Sequence, residues 1–215
     1  MPSEQPDRPP HTTKPIALFP LGHGLFPDGL LALQLFEVRY LSMIKKVVKG
    51  ELDFGVVRLV QGSEVAKPDQ EEVFENLGTL ASLTHHHQPQ AGLVQIRCVG
   101  GPRFRVQSAE RDKTGLWLAE VNLLPDDPPE GIPLHLQPAA NHLGRVIADL
   151  QRQGLAPEDM PIAAPFRLDE CGWVANRWAE ILPLAPQQKQ FLLAMESPLA
   201  RLATLKEWVG ELFQD

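Results

Sequence analysis

The stretch PDDPPEG at residues 125–131 divides the sequence into two parts with different hydrophobic patterns. Proline and glycine at this density are typical of a turn or linker, because proline continues neither a helix nor a central strand. Before the stretch, apolar residues tend to recur at every second position, whereas after it they recur at every third or fourth. The pattern predicts a β domain over residues 15–124, a linker over 125–134 and a helical bundle over 135–215.

The β part consists of short strand-like runs separated by glycine or proline. Alternation is clearest in the run Leu93–Val99, where Val94, Ile96 and Cys98 share one face of the predicted strand. Many short strands at this spacing favour an all-β barrel or sandwich. The preceding residues 1–14 are rich in proline and polar side chains, and they predict a disordered tail.

Two helix boundaries are well marked in the sequence. One helix is predicted inside the β part from Val38 to Lys49, because apolar residues recur there at three- and four-residue steps. Gly50 is expected to end this helix in a left-handed conformation. In the helical part, Ser197 followed by Pro198 predicts the start of the last helix.

Composition and charge exclude several classes of protein. The chain has 215 residues, of which 20 are Lys or Arg and 27 are Asp or Glu, so its net charge is -7. A negative average field argues against nucleic acid and anionic membranes as partners. No apolar run has the length of a signal peptide or a membrane span, so a soluble cytoplasmic protein is expected. Cys98 and Cys171 lack metal-binding spacing and are expected to be buried free thiols.

Local motifs of catalysis do not occur in the sequence. It contains no GxxxxGK[ST] phosphate loop, no GxSxG elbow and no HExxH zinc motif. We therefore expect no enzyme activity and no cofactor.

The most conspicuous polar cluster is formed by His85, His86 and His87. In an extended strand His85 and His87 share one face, so they could hold a metal ion with a third ligand from elsewhere. The sequence that follows, QPQAG at 88–92, indicates an exposed hairpin beside a strand end. Solvated surface histidines are therefore the favoured interpretation, and no metal site is expected.

A series of short motifs occurs in the order found in one known family. The motifs are LFPL at 18–21, LFP at 25–27, LQLFEVRY at 33–40, FGVV at 54–57, GTLA at 78–81, GGPRFRV at 100–106, LAEV at 118–121, LPL at 182–184, KQFLL at 189–193 and RL at 201–202. Together they resemble the substrate-binding amino-terminal domain of Lon proteases. The resemblance implies an α+β fold, with a PUA-like β-barrel domain followed by a C-terminal helical bundle. It also implies a module that engages unfolded or degradation-destined polypeptide as its partner.

The chain departs from the family pattern at three places, two of which concern local details. The sequence AME at 194–196 stands where a glutamate usually follows the Leu-Leu pair directly. Asp28 stands where glycine usually follows the Phe-Pro pair. The chain also ends at Asp215 before any ATPase or peptidase module, so a standalone, non-catalytic protein-binding or peptide-binding module is expected. Because PUA-type folds elsewhere bind RNA, an RNA-binding module is the alternative, although the net charge of -7 argues against it.

Two of the motifs have structural explanations. Glu37 suits the start of a helix, and with Arg39 it is interpreted as structural rather than as part of an active site. The sequence Gly-Gly-Pro at residues 100–102 predicts a tight turn.

The binding surface is expected beside the β domain. Residues Gln61–Asn76 have an acidic, poorly patterned sequence, which predicts a long loop. Val73 and Phe74 follow the acidic residues of this loop, and they are the candidates for contact with an extended apolar segment.

Overall fold

The computed structural model describes residues 15–65, 70–156 and 159–213. The tail predicted over residues 1–14 lies outside these residues. The strands, in chain order, are β1 (Ile16–Leu21), β2 (Leu30–Leu35), β3 (Phe54–Gln61), β4 (Val73–Gln90), β5 (Leu93–Arg111) and β6 (Trp117–Leu123). The helices are α1 (Val38–Val48), α2 (Gln137–Arg152), α3 (Cys171–Ile181), α4 (Pro186–Ala194) and α5 (Pro198–Val209), with 3-10 turns at Leu134–Leu136 and Gly210–Phe213.

Five of the strands close on themselves through their hydrogen bonds. β1 pairs in parallel with β3 and antiparallel with β6. β4 lies antiparallel between β3 and β5, and β5 pairs antiparallel with β6. The order β1, β3, β4, β5, β6 therefore returns to β1, which is the pairing pattern of a small barrel. The α+β fold class predicted from the sequence is confirmed.

β4 and β5 are longer than the sequence pattern predicts, because both continue beyond this ring. Residues 94–99 of β5 pair with β2, whereas residues 104–111 pair with β6. The matching part of β4, residues 82–90, pairs with β5. An extension made of β2, β5 and β4 therefore projects from the ring, and we call residues 82–99 the distal hairpin.

The tight turn predicted at residues 100–102 is wrong, because these residues lie inside β5 where its partner changes. The N–H of Gly100 donates to the carbonyl of Gly29 at 2.8 Å, and the carbonyl of Gly100 accepts from the N–H of Asp28 at 2.8 Å. A Cβ atom on Gly100 would lie 2.0 Å from the carbonyl oxygen of Phe26. Glycine is therefore required by the close approach of two backbones and not by a turn.

α1 packs against the extension. The helix spans Val38–Val48, and Gly50 behind it has φ +70, as the sequence predicted. Tyr40 and Met43 on its buried face belong to the same apolar cluster as Ile96 of β5. The same cluster includes Phe19 of β1, on which the Tyr40 ring stacks with 4.1 Å between ring centroids, so the helix packs where the extension meets the barrel.

The helices of the second part form a separate core. α3 is buried at every residue from Cys171 to Ala179, and Leu202 and Leu205 of α5 pack in the same cluster. Phe26 and Leu77 from the first part also belong to it, so the two parts share an apolar interface. No helix in the described part of the chain combines the length and apolar character needed to cross a bilayer.

Residues 125–131, predicted as part of a linker, contact both parts of the structure. The carbonyl of Glu130 accepts from the N–H of Cys171 at 2.8 Å, and Gly131 forms a β-bridge with Glu170. Asp127 is bound by arginines from β5 and α5. The division into separate domains stays a prediction.

Candidate functional site

Val73 and Phe74 begin strand β4 and do not lie in the predicted loop, which is shorter than expected. Leu59 lies opposite Phe74 and Gln61 opposite Val73, so Val60 is an additional residue in β3. Such a β-bulge re-aims side chains at a strand end. Val60 is 53% exposed and Val73 is 40% exposed. We call Val60, Val73 and Phe74 the bulge surface.

A buried carboxylate lies next to the bulge surface in the chain. Glu72 accepts from Trp117 Nε1 at 2.7 Å, and its oxygens lie 3.2 Å from Arg39 Nη1 and 3.4 Å from Arg111 Nη2. The Trp117 ring packs edge-to-face on Phe74, with 5.2 Å between ring centroids. Glu72 could not be identified from the sequence, because its partners Arg39 and Trp117 are 33 and 45 positions away and no local pattern indicates contacts at that separation. The contacts hold the start of β4 in place.

Arg39 connects this cluster to α1. Its Nε donates to Glu37 Oε2 at 3.2 Å, and its Nη1 donates to the carbonyl of Gly115 at 3.3 Å. The guanidinium lies 4.5 Å from the centroid of the Tyr40 ring. Burial raises the pKa of Tyr40 well above its usual value, and the Arg39 charge offsets this only in part. Glu37 and Arg39 thus have the contacts of structural residues.

The three histidines lie within β4 rather than at its end, and all three are exposed. The residues opposite His85, His86 and His87 on β5 are Gln95–Arg97, which supply no carboxylate or thiol. Among the residues that the structure describes, no three His, Cys, Asp or Glu side chains are grouped to hold a metal ion.

Both cysteines are buried and free. Burial raises the pKa of Cys98 to about 12, and burial together with the Glu130 charge raises that of Cys171. Since the thiolate is the nucleophile and the metal ligand, neither thiol is activated for such chemistry near neutral pH.

A cleft of about 300 Å³ lies between the barrel and the helices. It is lined by the loop at Pro27–Asp28, by residues 100–102 and by Trp173 of α3. Arg103 and Asp127 also line it, and Arg103 Nη2 donates to Asp127 Oδ1 at 3.0 Å. Burial lowers the pKa of Arg103, and Asp127 opposes that shift. This ion pair joins β5 to the proline-rich stretch in the wall of the cleft.

Arg177 of α3 fixes the loop on the other side of this cleft. Its Nη2 donates to the carbonyl of Pro27 at 2.6 Å, and its Nη1 donates to the carbonyl of Asp28. Asp28 has φ +60, a left-handed conformation in which glycine is most easily accommodated and aspartate is tolerated. The carboxylate of Asp28 also accepts from Arg167. These contacts support a structural role for the loop.

A second exposed apolar pair lies on the helices. Phe191 of α4 is 55% exposed and Trp208 of α5 is 37% exposed, with 6.0 Å between their ring centroids. The pair is a second exposed apolar surface, separate from the bulge surface.

Comparison with known proteins identifies a matching family. The family model described as the ATP-dependent protease La (LON) substrate-binding domain matches residues 15–210. The chain is also 30% identical over 105 residues to protein cereblon of Danio rerio. That match covers 47% of this chain and 23% of cereblon, so the chain spans about a quarter of the length of this curated relative.

Two solved structures resemble the whole described fold. The Lon N-terminal domain protein from Xanthomonas campestris is 26% identical, with a TM-score of 0.68 over 90% of this chain and 98% of that chain. The N terminal domain of Mycobacterium avium complex Lon protease is 16% identical, with a TM-score of 0.59 over 92% of this chain and 99% of that chain. At the lower identity, the likeness concerns the fold alone.

Proposed function

Since the chain belongs to the family of the ATP-dependent protease La (LON) substrate-binding domain, we propose that it binds unfolded or degradation-destined polypeptide without catalysing a reaction on it. The family match over residues 15–210 is the observation that carries the proposal. The match is to a substrate-binding domain, which is why the proposal assigns binding and no chemistry to this chain.

The bulge surface is the proposed contact region. Val60 and Val73 expose apolar side chains on two paired strands, and Glu72 anchors the adjoining backbone. A surface that is already ordered loses little conformational freedom on binding, which favours affinity. Phe74 packs against Trp117, and this contact stabilises the start of the strand that carries Val73.

The expected affinity is low. Burial of about 400 Å² of apolar surface at roughly 25 cal/mol per Å² contributes about 10 kcal/mol, and association and ordering cost about 4 to 15 kcal/mol. The resulting dissociation constant is micromolar or weaker. Weak binding suits a protein that samples many segments and must release them.

Fluorescence anisotropy with labelled, unfolded casein tests the proposal. The double variant Val60→Ser/Val73→Ser should weaken binding by at least about fivefold, because it removes the apolar contact. Val48→Ser is the matched control, since Val48 is 47% exposed on α1, and it should bind as the unaltered protein does. If Phe191→Ser loses binding and the double variant does not, the polypeptide contacts the helices and not the bulge surface.

A salt titration separates polypeptide binding from RNA binding. Binding through apolar contacts should change little between low and moderate salt, whereas single-stranded RNA loses affinity with a slope of about -0.7 per neutralised phosphate. Steeply salt-dependent binding of an RNA oligomer, with no casein binding at about 100 µM, would overturn the proposed function.

A further inference from the structure

The cleft between the barrel and the helices contains the amino-terminal end of α3. Gly172 and Trp173 stand in the first turn of this 11-residue helix, and both line the cleft. The first N–H groups of a helix have no acceptor within the helix and carry a partial positive charge. The N–H of Cys171 donates to the carbonyl of Glu130, whereas those of Gly172 and Trp173 have no acceptor among the residues that the structure describes. Two backbone donors are thus available in the wall of the cleft.

Asn176, one turn further along α3, supplies a third donor. The residue is 3% exposed and lines the same cleft. Its Oδ1 accepts from Arg201 Nη1 at 2.9 Å. A guanidinium has donors and no acceptor, so this contact fixes the orientation of the amide and leaves the NH2 group on the side away from Arg201. Within the described part of the chain nothing accepts from this NH2 group, although buried polar groups are normally hydrogen-bonded.

Two buried arginines share one carboxylate beside these donors. Arg103 is 5% exposed and Arg201 is 1% exposed, and both pair with Asp127. Burial lowers the pKa of Arg103, Asp127 opposes this shift, and the charge of Arg201 lowers the pKa further. The three groups together have a surplus of one positive charge. An anion in the cleft would offset this surplus, since charges interact strongly where water is largely excluded.

The outer part of the cleft carries the opposite charge. Asp126 is exposed, and Glu170 lies 3.7 Å from Arg167, which also binds Asp28. Water and salt weaken the effect of exposed charges, so these carboxylates oppose an anion less than the buried groups attract it. They do disfavour a ligand with several negative charges. The arrangement therefore favours a ligand with a single negative charge.

The size and walls of the cleft limit the rest of the ligand. Its volume of about 300 Å³ is at the lower end of the range of small-molecule sites. Pro27, Pro102 and Pro128 line it and provide apolar contacts. The ligand is accordingly small, with a short apolar group attached to its charged group.

We propose that this cleft binds a small monocarboxylic acid with a short aliphatic group, whose carboxylate accepts from Asn176 and from the N–H groups of Gly172 and Trp173. A carboxylate fits three converging donors because its two oxygens accept several hydrogen bonds and donate none. The last residue of a polypeptide offers the same group, but the small volume of the cleft favours the free acid. The ligand differs from the polypeptide bound at the bulge surface, so this inference does not depend on the proposed function.

Nuclear magnetic resonance titration with sodium 3-methylbutanoate at constant ionic strength tests the inference. The acid should shift the NH2 signals of Asn176 and the N–H signals of Gly172 and Trp173. The dissociation constant should be on the order of 1 mM, because a ligand of few atoms gains little affinity. The neutral 3-methylbutanamide and the cation 3-methylbutylammonium carry the same aliphatic group, and each should bind at least about tenfold more weakly for lack of a negative charge.

Asn176→Asp tests the donor. The variant keeps an oxygen for Arg201 and replaces the NH2 group with a second carboxylate oxygen, so binding of the acid should weaken at least about tenfold. Asn141→Asp is the matched control, because Asn141 is exposed on α2 and its Oδ1 accepts from Gln137 Nε2 at 3.3 Å. The control should change binding less than about twofold.

Asp126→Asn tests the sign of the charge that the cleft accepts. It removes a repelling carboxylate from the outer part of the cleft and should strengthen binding of the acid about two- to threefold. Asp126 is exposed, so this test holds even if urea denaturation shows that Asn176→Asp does not fold.

Four outcomes would overturn the inference. They are no shift of these signals up to about 50 mM acid, binding of the amide or the ammonium ion as tight as that of the acid, unchanged binding by a folded Asn176→Asp, and weaker binding by Asp126→Asn. N-acetylglycyl-leucine bound at least about tenfold more tightly than the acid would assign the cleft to a polypeptide terminus and overturn the free acid as ligand. Casein binding is measured on the same samples, and its absence while the acid binds would overturn the proposed function alone.

Discussion

Asp127 and Arg201 form a two-point ion pair, in which Arg201 Nη1 lies 2.5 Å from Asp127 Oδ2 and Arg201 Nη2 lies 3.1 Å from Asp127 Oδ1. Arg201 is 1% exposed and also donates to Asn176 Oδ1 at 2.9 Å. Arg103 reaches the same carboxylate from β5. One side chain of the proline-rich stretch thus binds an arginine from each part of the fold.

Asp127→Asn should lower the free energy of unfolding by about 3 to 5 kcal/mol, because it leaves two buried guanidinium groups without their counter-charge. Urea denaturation followed by circular dichroism measures the change. Asp126→Asn, at the exposed neighbouring position, should stay within about 0.5 kcal/mol of the unaltered protein. Equal stability of the two variants would contradict the structural role of this ion pair.

Glu72→Gln should destabilise the protein by about 2 to 4 kcal/mol. Glutamine can still accept from Trp117, but it removes one of the two carboxylates that pair with buried Arg39, the other being Glu37. Urea denaturation followed by tryptophan fluorescence measures the loss, and Glu71→Gln at an exposed position is the control. If both variants unfold at the same urea concentration, the Glu72 contacts do not stabilise this region.

Gly100→Ala should be much more destabilising than Gly101→Ala. A Cβ at Gly100 would lie 2.0 Å from the carbonyl oxygen of Phe26, whereas one at Gly101 would have its nearest neighbour, the Cβ of Leu80, at 3.6 Å. Overpacking against backbone costs about 1 to 3 kcal/mol or more. The melting temperatures of the two variants provide the test, and a larger decrease for Gly101→Ala would disprove the close approach of the backbones.

Stability should fall as pH rises towards neutrality because of Glu180. Burial raises the pKa of this carboxyl to about 7 from its ordinary value of 4.5. Arg177, the N–H of Phe26 and Lys189 lower the pKa and so oppose this shift, whereas Asp28 raises it further. The folded state therefore holds a proton that the unfolded state releases between these values, so this contribution is complete below about pH 4.5 and lost above pH 7.

The variant Glu180→Gln should remove this dependence. Since the Glu180 side chain is 24% exposed, we expect a difference on the order of 1 kcal/mol between pH 5 and pH 8. Urea denaturation at several pH values measures the slope for the variant and the unaltered protein. Parallel slopes for the two would show that Glu180 is not the titrating group.

The purified chain should hydrolyse neither ATP nor casein. The sequence lacks a phosphate-binding loop, and burial raises the pKa of both thiols, so they are not activated nucleophiles. Phosphate release and the appearance of new amino termini are the measurements. Activity that follows the protein through successive columns would contradict a binding role without catalysis.

Local patterns were sufficient to predict the elements whose causes are local. The apolar stripe and Gly50 predict α1 to within one residue, and the hydroxyl of Ser197 accepts from the N–H of Ala200 at 3.1 Å, as an N-cap does. The lengths of β4 and β5 were not predictable in this way. Glycine and proline at residues 100–102 suggested a turn, whereas the structure uses Gly100 for a close backbone contact.

The candidate site was less accessible to sequence reasoning, because its contacts join distant positions. The sequence predicts a loop at Val73 and Phe74, because the acidic residues before them do not have the alternating pattern of a strand, whereas β4 begins at Val73. The sequence does not single out Glu72, because its partners Arg39 and Trp117 are brought to it only by the fold. The role of Val73 and Phe74 in binding stays a prediction.

The last turn of α4 is completed by side chains from both parts of the fold. Arg103 of β5 donates to the carbonyls of Leu193 and Met195, each at 2.9 Å, and Arg201 of α5 donates to those of Leu192 at 3.0 Å and Met195 at 2.6 Å. The final carbonyls of a helix have no partner within the helix itself. The hydrogen bonds at the end of this helix therefore depend on a side chain of the barrel and on one of α5, which links the stability of α4 to both parts of the fold.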